Sequence, residues 1–492
     1  MRFSRLAATS AALFSSAALA NDPLTPAKLV ADINEVELQR VLWALNKIAK
    51  DNGGTRAFGT PGYKASVDYV LERAQTRFGR EMDTFVQPFT FVYDETLEIK
   101  VTGPDGEDVF VVSPQYNPAT PLPGGITASL LNTPVDDTTG SMCLESQWDG
   151  IDATGKLVLI KRGVCAVADK LIFAKAKGAL GVILYNQTPG TEITTPTLSA
   201  DNIGKLIPVG IIPLEVATGW IGRLAAGEDL SATLLVDAIA EERETWNVIS
   251  ETKEGDPNKV IMLGAHLDSV LEGPGINDDG SGTAALLEIM GSVKKYKGFP
   301  HKIRFGWWAA EEAGLVGSYH YTQNLTPAEA DKIKFYFNYD MIASPNPKYE
   351  ISSYENSGIG VSLLEDYLTA AGKEVEYAEF DGRSDYAGFV ELGIPTVGLF
   401  TGDGAPWDSC YHKACDDIDN INWEGYVLNT KAAANAVGIL AHSLEGVPDR
   451  LVTTPNLRGR DKINYQFKRW AALAQEAGSH SLCSHGKKKS TV

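Results

Sequence analysis

Between residues 244 and 445 the chain repeats one pattern: a short apolar run, a turn, then a stretch with helical spacing. The apolar runs are 260–264, 303–309, 335–339 and 396–400. Helical spacing follows at 282–295, 315–324 and 423–444. Strands that are apolar along their whole length are buried on both faces, which demands helices above and below them. The expected fold is therefore α/β, a mostly parallel mixed sheet flanked by helices.

Upstream the texture differs. Residues 23–50 have apolar positions at helical spacing and read as one or two helices; 51–63 read as a loop and 64–78 as a further helix,. From about 84 to 240, short apolar runs at 109–112, 157–160, 179–185, 206–212 and 232–236 alternate with Gly, Pro, Asp and Thr clusters. That is a β-rich module with one helix, at 166–177. The expected division is 1–20 leader, 21–92 first part of the main domain, 93–240 insert, 241–450 main domain, and 451–492 a helix (465–477) with a flexible tail.

The leader is read from Arg2 and Arg5, the small and apolar run 6–17, and Ala18-Leu19-Ala20 before Asn21. This is the pattern of a secretory signal, too short for a membrane span. Nothing later reads as a membrane span, so the expectation is a secreted, extracellular protein with no membrane partner, acting as a monomer. The net charge of -19 excludes a nucleic-acid partner, which needs a basic face,. In an oxidising compartment the five cysteines are expected to make two disulfides, Cys143 with Cys165 and Cys410 with Cys415, leaving Cys483 over,. Asn186 and Asn324 head glycosylation sequons,.

In an open α/β sheet, ligands gather at the carboxyl ends of the strands. Here those ends carry His266 and Asp268, Asp278 and Asp279 in the loop before a helix, Glu311 and Glu312, Asp340, and later His412. One such residue is ordinary. Two imidazoles and several carboxylates brought to one edge would repel or be desolvated without a cation among them. His and carboxylate ligands in that ratio suit zinc at two positions.

These segments closely resemble the zinc aminopeptidases of family M28, in particular the secreted two-zinc enzymes of bacteria and fungi. The text that carries the resemblance is GAHLDSV (264–270), GINDDGSG (275–282), WWAAEEAGLVGS (307–318), NYDMIASPNP (338–347), FDGRSDYAGFVELGIPTVGLFTG (380–402) and CYHKACDD (410–417), with GTRAFGTPGYKASVDYV (54–70) upstream. The stretch GKLVLIKRGVCAVADKLIFAKAKGALGVILYN (155–186) resembles the protease-associated (PA) domain. Among relatives the chain looks most like the fungal secreted leucine aminopeptidases.

The resemblance implies two Zn2+ per chain and peptide substrates with free N-termini. It implies His266 and Asp340 on one zinc, Glu312 and His412 on the other, and Asp278 bridging both. Glu311 is implied as general base, Tyr411 as a donor to the oxyanion, and Asp268 as the group orienting His266. Arg383 is read either as a substrate contact or as a partner of Asp385 that holds its loop. The Cys410–Cys415 pair is read as fixing the loop of His412, and the insert as a lid or access module. Trp307, Trp308, Phe389, Phe400 and Trp407 hint at an apolar pocket for Leu-like side chains.

Three rivals stand beside this reading. A receptor-like relative would have lost metal ligands. A carboxypeptidase would need a basic cluster for a C-terminal carboxylate, and a glutaminyl cyclase would use a single zinc. Amino-terminal sequencing of the exported protein is expected to begin at Asn21. A first residue at Met1 would remove the leader reading.

Overall fold

The structure is a computed structural model that describes residues 22–191, 193–353, 358–378 and 380–451. The expected leader, the helix at 465–477 and Cys483 lie outside the described residues.

Three helices come first, α1 (Pro26–Asp32), α2 (Glu35–Asp51) and α3 (Pro61–Leu71). Thr25, Asn34 and Thr60 cap them by accepting the backbone N–H of Lys28, Val36 and Tyr63,. On α2, Leu38, Val41, Leu42 and Leu45 fall at three- and four-residue steps and enter the main core,.

The next segment holds β1 (Met82–Thr102), β2 (Asp108–Val109), β3 (Ile126–Asn132), β4 (Leu157–Lys161), α4 (Val167–Ala176), β5 (Gly181–Tyr185), β6 (Val209–Ile212), α5 (Leu214–Ala225) and β7 (Ser231–Thr252). Then follow β8 (Asp256–His266), α6 (Gly280–Val293), β9 (His301–Trp308), α7 (Val316–Gln323), α8 (Pro327–Ala330), β10 (Ile333–Tyr339), β11 (Glu350–Ser352), α9 (Ile359–Ala370), β12 (Glu376–Ala378), α10 (Tyr386–Glu391), β13 (Thr396–Phe400) and α11 (Trp423–Leu440).

The strands run in the order β12-β11-β13-β10-β8-β9-β7-β3-β4-β5-β6. At the centre β13, β10, β8 and β9 are parallel, with β7 antiparallel beside β9. The two faces of β8 explain its continuous apolar run. Ile261, Leu263 and Ala265 join the core under α2, α6 and α11, while Val260 and Met262 join the one formed with Tyr321 and Phe389. Each aliphatic side chain taken fully from water contributes about 1.5–3 kcal/mol, so burial on both faces makes this the stiff middle of the molecule.

The insert has the same design on a smaller scale. Strands β4, β5 and β6 are parallel and buried on both faces, with α4 on one side and α5 on the other. It hangs on a long antiparallel ribbon: β1 pairs with β7 from Met82↔Thr252 to Thr102↔Thr233. The boundaries expected at 92/93 and 240/241 both fall inside this ribbon, at one rung, where Tyr93 pairs with Glu241.

Several expectations change. The strand expected at 109–112 shrinks to β2 plus a lone bridge between Val112 and Ile211. The insert has two helices instead of one, because Gly219 and Gly222 mask the helical spacing of α5 in the sequence,. Trp307, Trp308 and Phe389 are fully buried core residues, not pocket walls. Asn186 is only 6% exposed, which sets it against the expected glycan, and its side-chain amide donates to Thr188. Asn324, after α7, is exposed. No helix among the described residues is long and apolar enough to cross a membrane.

Glu288 on α6 accepts the N–H of Asn34 at 3.0 Å and so ties α6 to the start of α2. Burial, and then Glu37, push its carboxyl up to about 7. The folded chain thus holds this proton more tightly than the unfolded chain does, and the group's contribution to stability falls as pH rises from 4.5 to about 7,. Glu288→Gln keeps an acceptor without the charge. It is expected to melt higher than the native chain above about pH 7 and level with it below about pH 4.5. A pH-independent offset in thermal melts would contradict this.

Candidate metal centre

The parallel strands deliver the site. His266 is the last residue of β8, Glu311 and Glu312 lie just beyond β9, and Asp340 follows β10 directly. Asp278 and Asp279 come from the turn before α6, and His412 from the loop after β13. Asp279 caps α6 by accepting the N–H of Gly282 at 2.8 Å, and its other oxygen accepts the N–H of His266 at 3.2 Å. Gly282 has no alternative there: a Cβ would stand 2.0 Å from the carbonyl oxygen of Tyr339.

Asp278 is the centre of the cluster. Its Oδ1 lies 3.1 Å from Nε2 of His266 and its Oδ2 lies 3.2 Å from Nε2 of His412. Nε2 of His266 is also 3.7 Å from Asp340 and 3.9 Å from Glu311. Nε2 of His412 is 3.1 Å from Oε2 of Glu312. Two metal-sized groupings result, His266 with Glu311 and Asp340, and His266 with Asp278 and Glu312. The separate pairing of Glu312 with His412 divides the set more evenly, with Asp278 facing both imidazoles.

The supports come from every neighbouring element. Asp268 takes the backbone N–H of Glu311 on one oxygen (3.1 Å) and that of Glu312 on the other (3.3 Å). Its carboxylate was expected to orient His266. Instead the nearest partner of His266 Nδ1 is the backbone oxygen of Asp268, at 3.1 Å, with the carboxylate at 3.7 Å. Asn247 on β7 accepts the N–H of Ala309 and donates to the carbonyl of Gly317, closing the loop that holds Glu311. Ser384 donates to Asp340 at 2.6 Å and accepts from Asn338 at 2.8 Å. Beneath the cluster the fully buried Arg56 donates to the carbonyls of Leu267, Pro274 and Gly275.

Arg383 is paired with Asp381 at 2.6 Å and Asp403 at 2.9 Å, not with Asp385. Asp385 is enclosed and pushed up to about 7, burial being the foremost cause. Tyr411 stacks on His412 with ring centroids 3.8 Å apart. The cysteines pair as Cys143–Cys165 and Cys410–Cys415, the second closing a loop around His412.

Electrostatics describe a set of donors in need of a cation. Burial and the charges of Glu312 and Asp385 drive the carboxyl of Glu311 well above its usual range. Burial lifts Glu312 to about 7, against the pull of His412. Burial alone would lower the imidazole of His266, but Glu311, Asp268, Asp278 and Asp340 raise it well above its usual value. Oε1 of Glu312 is buried with no hydrogen-bond partner among the described residues. Imidazole nitrogens and carboxylate oxygens are the donor set of zinc, and a divalent ion here would relieve the crowding of charge and use the orphaned oxygen.

Of the residues singled out in the sequence, His266, Asp278, Glu311, Glu312, Asp340 and His412 converge, with Asp268 and Tyr411 against them. Asn247, Ser384 and Arg56 carry the support and were not singled out. Ser384 sits inside the quoted motif text, Arg56 inside its upstream segment and Asn247 outside both.

The model of peptidase family M28 matches residues 247–437, and that of the PA domain residues 126–219. An aminopeptidase of Pseudomonas aeruginosa is 38% identical over 470 residues, covering 87% of this chain and 84% of its own. A protein named probable leucine aminopeptidase 2, from Aspergillus fumigatus, is 35% identical over 81% of this chain and 82% of its own. The structure also resembles a zinc aminopeptidase of Bacillus subtilis, with a TM-score of 0.62, 26% identity, and coverage of 84% of this chain and 95% of that one.

Hydrogen bonds to a charged acceptor are worth roughly 1.5–3 kcal/mol, equivalent to one or two decades of local opening. Asp268→Asn removes one acceptor and sets an amide against an N–H. Hydrogen exchange at Glu311 and Glu312 is expected to quicken roughly 10–100-fold. Unchanged exchange over residues 309–317 would show that another group holds this loop.

Proposed function

The chain belongs to peptidase family M28 and is a zinc-dependent aminopeptidase; from that premise we propose that it works with two zinc ions held by five side chains. His266 and Asp340 would hold one, Glu312 and His412 the other, and Asp278 would serve both. The observation that carries this is the split of Asp278, each oxygen turned to a different imidazole at 3.1 and 3.2 Å. A single zinc in either grouping would leave His412 without a task.

When bound, zinc acidifies a water molecule and polarises the carbonyl of the scissile bond. Glu311 is the general base. It takes a proton from water and then gives it to the leaving amine. The phenol of Tyr411 is driven well above its usual pKa by burial and by the charges of Asp278 and Glu312. It therefore keeps its proton and can donate to the oxygen on which negative charge develops. Asp268 does not touch substrate in this scheme; it holds the backbone of Glu311 and Glu312 in place.

The substrate is a peptide with a free N-terminus, and apolar N-terminal residues, Leu among them, are the proposed preference. Support comes from the name of the Aspergillus relative. Arg383 bears against the carboxypeptidase alternative. Two carboxylates already match its charge, so it does not offer the free cation a substrate C-terminus needs. With 44% of its side chain exposed, Arg383 is proposed instead as a donor to the substrate backbone. We place the enzyme outside the cell, and read the PA-like insert as governing access to the site.

A panel of aminoacyl-nitroanilides, with free and N-acetylated amines, tests the reading. Free Leu and other apolar residues are expected to turn over and the blocked ones not, with activity lost to a chelator and restored by zinc. Activity indifferent to chelation or to N-blocking would overturn it. Glu311→Gln is expected to lower kcat by roughly 10²–10⁴-fold while zinc content stays native. A variant that kept both its zinc and its rate would show that the base lies elsewhere.

A further inference from the structure

The two imidazoles of the site are held by different means. His266 ends a buried strand and its Nδ1 meets the backbone oxygen of Asp268. His412 lies outside any strand or helix, in the loop closed by Cys410–Cys415. Its side chain is 39% exposed and its backbone is left-handed, with φ of 56°. Nothing in secondary structure fixes its distance from Asp278, so the anchors of the loop must.

Those anchors are two buried carboxylates on either side of the disulfide, Asp408 before it and Asp416 after it. Asp416 accepts the backbone N–H of Asn277 on one oxygen at 2.9 Å and that of Asp278 on the other at 3.0 Å. Its own carbonyl accepts the N–H of Ile276 at 3.0 Å. Asp408 accepts the side-chain amide of Asn277 at 2.7 Å and the N–H of Cys410 at 2.9 Å. The side-chain amide of Asn420 joins the pair, donating to Asp408 at 3.0 and 3.1 Å and to Asp416 at 3.0 Å. Both ends of the His412 loop are thus locked to the segment that carries Asp278.

We infer that Asp416, braced by Asn420 and Asp408, is a positioning residue that sets the separation of His412 from Asp278 and so completes the second zinc position. The inference rests on the two-zinc reading above. It assigns the occupancy of one position to a carboxylate that touches neither metal nor substrate. The first position depends on it only through Asp278, because His266 and Asp340 are placed by β8 and β10. Support of this kind around a ligand typically changes metal affinity 10–100-fold.

The test is zinc titration of the full chain after chelation, read by calorimetry, for the native protein and Asp416→Asn. In the variant one acceptor becomes an N–H donor facing the Asn277–Asp278 backbone. The native protein is expected to take two zinc ions. The variant should take the second about 10–100-fold more weakly and lose clearly less at the first, which feels the change only through Asp278. At limiting zinc its kcat should fall, and added zinc should restore it. If Asp416→Asn does not fold, Asn420→Ala, which only cuts the brace, is read in the same way.

Two titration steps that are both native would overturn the inference. So would two steps weakened equally together with a lower melting temperature of the metal-free chain, which is the signature of a general structural role. A native protein that takes a single zinc would sink the two-zinc reading itself. That outcome differs from failure of Asp416 alone, in which the native protein still takes two.

Discussion

The cost of crowding buried carboxylates governs this molecule. Asp268, Asp278, Asp279, Glu311, Asp385 and Asp416 all lie almost or wholly out of water around one sheet edge. Charges buried in this way are tolerable only when each is matched by donors or by a cation. The fold answers with backbone. Asp268 takes two amides, Asp279 takes amides from Gly282, Met341 and His266, and Asp416 takes two more. The oxygens of Asp278, Glu312 and Asp340 that face the imidazoles are left for a cation, while Asp385, which takes no backbone amide, has its carboxyl pushed up to about 7 instead. Division of labour between carboxylates that bind backbone and carboxylates that bind metal follows from that arithmetic of donors.

The stiff middle of the sheet makes this possible. A strand end is a defined place only if the strand cannot slide, and β8 is gripped on both faces by separate cores. Ligands on β8 and β10 inherit that rigidity. The ligand on the disulfide loop does not, and a second network of buried amides and carboxylates replaces it.

Much of this was legible in the sequence, for unequal physical reasons. Strands β8, β9, β10 and β13 announce themselves because burial on both faces leaves an unbroken apolar run. The three-residue β11 and β12 carry no such signal, since their pairing comes from neighbours distant in sequence. His266, Glu312 and His412 were visible because two imidazoles and several carboxylates brought to one sheet edge need a cation among them. Ser384 and Asp416 were not, since a polar residue in a loop has many ordinary uses and only the folded path shows which N–H or carboxylate it meets. Trp307 and Phe389 beside the motifs looked like pocket walls because composition cannot tell a pocket from a core. The triplet at Asn186 specifies chemistry without specifying exposure.

The ribbon of β1 and β7 has a consequence for how such a chain is put together. Exit from the main sheet and return to it occur on paired strands, and Tyr93 and Glu241 face each other across one rung. Topologically, everything between those two residues is the turn of a hairpin enlarged into a domain. The register on the sheet side of that rung is set by pairs down to Met82↔Thr252, none of which involves the insert. An ancestral two-stranded arm with a short turn could therefore have exchanged its tip for a whole folded unit, or lost one again, without re-registering a strand that leads to the metal centre.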